Sequence, residues 1–126
     1  MLQDFERGGR IVPHVPYYAD YLQKLNLLTA QEVIDLEAYA DAEIAKAATS
    51  KKKICCSSWM CPSDWHLTPL EPIYTTIAKR SPTQAGMFWG LVVQDRVLTR
   101  AALNNEHWGM IHTDHPGAKG LTYWIM

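Results

Sequence analysis

The sequence predicts an α+β fold: an N-terminal helical hairpin, an irregular cysteine-bearing middle, a third helix and a C-terminal β-hairpin. Three observations carry this expectation. A capping box opens a long amphipathic segment at Thr29, a Ser-Pro-x-Gln start opens another at Ser81, and two aromatic, β-branched runs flank the turn sequence HPGAKG near the C-terminus. The 126 residues suit one domain, and a chain of this length can bury a core without disulfide or metal staples.

The elements follow in order. Residues 1–16 contain Gly8-Gly9, Pro13 and Pro16 and read as an extended arm. Tyr18, Tyr21, Leu22, Leu25 and Leu28 recur at helical spacing, which gives a short amphipathic helix. Thr29 then caps a second helix, with Glu32 three residues on to reach back to the Thr29 amide. Leu28 and Val33 flank the box as a hydrophobic staple. Val33, Leu36, Ala40, Ile44 and Ala47 form the apolar stripe of this helix, which is expected over Ala30–Ala48. The linker is short, so 17–49 reads as an antiparallel helical hairpin.

Residues 50–80 open with Ser50 and three lysines that favour a helix C-terminus and continue through Ser, Pro and Cys, so irregular structure is expected, with a short helix from Pro69. Residues 81–126 hold the third helix and the hairpin. Ser81, Pro82 and Gln84 spell a helix start, and Asn104-Asn105 can end it. Gly86 and Gly90 each cost a helix about 1 kcal/mol relative to alanine. FWGLVVQ also has strand composition, so a hairpin of 87–93 with 96–101 is the competing reading.

Composition narrows the function. No window approaches the roughly 18 uninterrupted apolar residues of a membrane span, and MLQDFERGGR has no apolar signal region. Three cysteines, an odd number, beside no export signal point to a reducing, cytoplasmic setting. The net charge of −1 conceals an acidic first part: residues 1–50 carry eight acids and four bases. The basic excess beyond residue 50 is too thin and scattered for a nucleic-acid footprint.

Two constellations suggest chemistry. Cys56, Cys61 and His66 are spaced C-x4-C-x4-H, with Cys55 adjacent and His107 or His112 as a distant fourth ligand. Such a set suits zinc or iron. The bland reading is three small side chains buried in a loop. Lys51–Lys53 would also favour a reactive thiolate, with Cys61 as the candidate. The second constellation, His107, His112, Asp114 and His115, reads equally as polar residues beside a turn.

A third feature is the acidic second helix. Asp35, Glu37, Asp41 and Glu43 lie beside Tyr39, and five Trp and six Tyr, Trp124 among them, exceed what a small core needs. These residues suit docking on a larger protein or protein assembly. The expectation is therefore a small interaction or inhibitor-type module with no catalysis of its own, binding through Tyr39, Asp35, Glu37, Asp41, Glu43 and Trp124. The alternative is a metal-binding protein or small metalloenzyme subunit that uses the Cys55–His66 segment. An aromatic edge strand at LTYWIM would also suit a homo-oligomer.

Overall fold

The computed structural model describes residues 1–50, 65–115 and 118–126, with the backbone alone for 112–115 and 118–120. The chain is α+β. Strands β1 (Leu2–Asp4) and β2 (Arg10–Ile11) come first, followed by helices α1 (Tyr18–Leu25) and α2 (Ala30–Ser50). A π-helical turn at Ile73–Ile77 precedes helix α3 (Pro82–Asn104), and strands β3 (Trp108–His115) and β4 (Ala118–Ile125) close the order. Among the described residues no helix is long and apolar enough to cross a membrane.

Local chemistry sets the helix ends. The Glu32 carboxylate accepts from the Thr29 amide at 2.9 Å and the Thr29 hydroxyl accepts from the Glu32 amide at 3.1 Å, so the capping box is formed. Ser81 Oγ accepts from the Gln84 amide, with Pro82 in the first turn. Asn105 ends α3 in the left-handed conformation at φ 51°, which an Asn tolerates better than most side chains. Residues 82–104 are helical, and the hairpin reading of 87–101 fails. The two glycines cost that helix less than is gained by burying Phe88, Trp89, Val92, Val93 and Val97 along it.

The sheet has the order β2-β1-β3-β4. β3 and β4 form the expected antiparallel hairpin, in register from Trp108 opposite Ile125 to His115 opposite Ala118. The N-terminal arm is more than an extended strap. Its β1 pairs in parallel with β3, Leu2 opposite Trp108, and antiparallel with β2. Alternation places Trp108, Met110 and Tyr123 in the core. α3 packs on α2 and reaches β1, while α2 reaches β4, so the helices cover this inner face. On the outer face Gly109 lies opposite Trp124. A Cβ at position 109 would stand 2.5 Å from the Trp124 ring and 2.8 Å from the Phe5 ring. Glycine is what lets those two rings stack, at 5.6 Å, across the strand.

Candidate functional site

Helix α1 is short, and its aromatic residues fall in two directions. Tyr21 is buried, whereas Tyr17, Tyr18 and Leu22 are exposed, Tyr17 to 84%. Pro13 and Pro16 keep the preceding arm from helix, and Tyr17 turns into α1 through a left-handed residue at φ 53°. That conformation is strained for a side chain of this size, and such strain clusters at functional positions. His14 stacks on Tyr18 at 5.3 Å, Tyr18 on Tyr21 at 6.5 Å, and Tyr21 on Phe88 of α3 at 5.3 Å. An aromatic ladder thus runs from the surface into the core.

The inner end of the ladder meets a polar junction of α1, α2 and α3. The Tyr21 hydroxyl is buried with no hydrogen-bond partner among the described residues. Burial first, then the nearby Asp95 and Glu37 charges, push its pKa far above that of an ordinary tyrosine. Arg96 clamps Asp41 with two hydrogen bonds of 2.8 and 2.9 Å and reaches Glu37 at 3.2 Å. These bonds, led by the one to Asp41, hold the guanidinium above its usual pKa. Burial pushes the Glu37 and Asp95 carboxyls up, and the attraction of Arg96 does not cancel it. Asp41 takes the bidentate face of Arg96, and Glu37 receives a single contact.

The structure distributes the residues expected to bind a partner. Glu37 and Asp41 turn to Arg96. Asp35 accepts from Gln31 at 2.8 Å, and Glu43 pairs with Lys46 at 3.1 Å. Tyr39 sets its ring edge against Trp89, and Trp124 lies on the outer face of the sheet against Phe5. The four acids and Tyr39 therefore share α2, and Trp124 stands apart from them. No local signal marks Arg96 as a site residue, because its partners lie at chain separations of 55 and 59.

Of the expected metal ligands, Cys56 and Cys61 lie outside the described residues, as does the side chain of His112. His66 Nδ1 faces Glu71 at 3.6 Å. Among the described residues no three His, Cys, Asp or Glu side chains converge as a metal would require. A cleft of about 550 Å³ adjoins His66, lined also by Trp65, Glu71, Tyr74 and Arg80. Trp65 stacks on Tyr74 at 6.1 Å there, beside the π-helical turn and the left-handed Lys79 and Arg80. Compared with known proteins, the chain matches no family model, no curated protein and no solved structure.

Proposed function

We propose that the protein is a small binding module that docks on a larger protein or assembly through the aromatic face of α1, without catalysis of its own. The observation that supports this reading is the ladder His14–Tyr18–Tyr21–Phe88, whose outer rungs are exposed and whose inner rungs are core. Binding energy concentrates in a few rigid aromatic anchors. Tyr carries large contact area on two rotatable bonds, so ordering it on binding costs little entropy. Tyr18 is already held between two rings, and Tyr17 and Leu22 extend the patch on either side. The Asp20–Lys24 pair supplies a polar rim. Asp35, exposed on the neighbouring α2, keeps acidic charge at the surface that would steer a basic partner.

The test compares the wild-type chain with a Tyr17→Ser/Tyr18→Ser variant as affinity bait in an extract of the native cell, followed by titration of the purified partner. Circular dichroism establishes that both baits are folded. Each aromatic anchor of this kind contributes about 2 kcal/mol, so a loss of at least thirtyfold in affinity is expected. A partner that binds both baits equally, or no partner retained by either, sinks the reading.

A further inference from the structure

A second cleft, of about 540 Å³, opens between the N-terminal arm and the helical layer. Its size falls within the range of small-ligand cavities, roughly 300–1,000 Å³. Val12 and Val15 of the arm, Met110 of β3 and Leu121 of β4 supply apolar walls. Of the polar side chains that line it, Gln94 of α3 is the buried one. It lines the cleft, is only 3% exposed, and its side-chain amide makes no hydrogen bond with any described residue. Gln94 stands in the helical stripe of Val97 and Ala101, where packing alone would select an apolar side chain.

A buried amide left without a protein partner destabilises a fold. One whose atoms face a cleft can instead be met from outside, by exchangeable water or by a ligand. The Gln carboxamide presents a carbonyl acceptor and an N–H donor side by side in one plane. Its complement is a second planar edge with the same pair reversed, as in a carboxamide or lactam. The rim carries both signs of charge, Asp4 and Glu6 against Arg7 and Arg10, so it selects no net charge. We propose that this cleft binds a small, neutral ligand with an apolar body and one amide-type edge, which pairs with Gln94. The cleft adjoins the docking face on α1, and His14 borders both, whereas Gln94 belongs to the cleft alone.

The experiment is an NMR titration of the full chain, labelled with nitrogen-15, using benzamide, acetophenone and benzoate as probes. Benzamide offers donor and acceptor, acetophenone only the acceptor, and benzoate a charge. The expected result is saturable binding of benzamide that moves the Gln94 side-chain NH2 signals and the amides of Val12, Val15 and Leu121. Benzamide should bind at least fivefold more tightly than either other probe. Gln94→Met, close in volume and without the amide, should erase that preference and melt no lower than wild type. Gln94→Leu repeats the comparison should the first variant fold poorly. Absence of saturable binding, binding that leaves these signals unmoved, or a preference that survives both substitutions overturns the proposal. So does a lower melting temperature for both variants, which would assign the amide a partner within the fold.

Discussion

The two halves of α3 are built on different physics. Over 82–93 the helix buries Ala85, Phe88, Trp89, Val92 and Val93, and is gripped by aromatic contacts from Tyr21 and Tyr39. Over 94–104 it still buries Val97 and Ala101, but it adds Gln94, Asp95, Arg96 and Arg100. Arg96 ties this half to α2, and Arg100 ties it to Glu106 at 2.9 Å, just ahead of β3. Apolar burial is non-directional, so the first half holds α3 against its neighbours without selecting one register. Charge-assisted hydrogen bonds need defined geometry, so the second half specifies how α2 and the start of β3 meet it. The first half gains stability from area. The second balances desolvation against pairing, with a small net gain and a large loss when one partner is removed.

This contrast can be broken, most forcefully at Trp89. Trp89→Ala removes a fully buried ring that Tyr39 contacts. A loss of about 3–5 kcal/mol is expected from urea unfolding, and a loss below about 1 kcal/mol would show that the first half is not held by packing. Next in size is Arg96→Met. It keeps most of the apolar stem and strands Glu37 and Asp41 in a half-buried junction, so about 2–3 kcal/mol should be lost. Adding Glu37→Gln to that variant should restore part of the loss, because it removes one of the uncompensated carboxylates. Additive losses in the double variant would mean that the two residues do not interact.

The smallest effect is the pH dependence of the second half. Glu37 and Asp95 have folded pKa values raised by burial. The native state therefore holds their protons more tightly than the unfolded chain does. Their contribution to stability is fully present on the acid side of the ordinary carboxylate range and is lost as pH rises through the raised values. As pH falls from neutral into the ordinary carboxylate range, the wild-type urea midpoint should rise relative to that of a Glu37→Gln/Asp95→Asn variant. Parallel profiles for the two proteins would remove the charge imbalance from this half of the comparison.

Much of the helical architecture is legible because its signals are local. Thr29 with Glu32 and Ser81 with Gln84 act within one turn, and the bonds they form follow from their spacing. The stripe Leu36–Ala40–Ile44 is buried as its period implies. The candidate sites were less legible. Tyr18 and Leu22 fall within the helical stripe of α1, and no periodicity separates the buried Tyr21 from its exposed neighbours. Phe88 of α3 decides that. Gln94 carried a readable signal, a polar residue three and seven positions before the buried Val97 and Ala101, but a single such residue has no meaning until a cleft is seen beside it. Strands β1 and β2 were hidden for another reason: three and two residues are too few to show alternation.

The sequence by itself determined the fold class, the order of helices before the C-terminal hairpin, and where α2 and α3 begin. Caps and apolar periods act between residues a few positions apart, so they are present in the chain before it folds. Tertiary structure alone decided that Leu2 pairs beside Trp108, that Gly109 makes room for Trp124 and Phe5, and that Arg96 draws Glu37 and Asp41 inward. It also decided that Tyr18 is a rung of an aromatic ladder and that Gln94 faces a cleft. Each of these joins residues that the chain separates, or turns a side chain by what packs against it, and such contacts exist only once the helices have settled on the sheet.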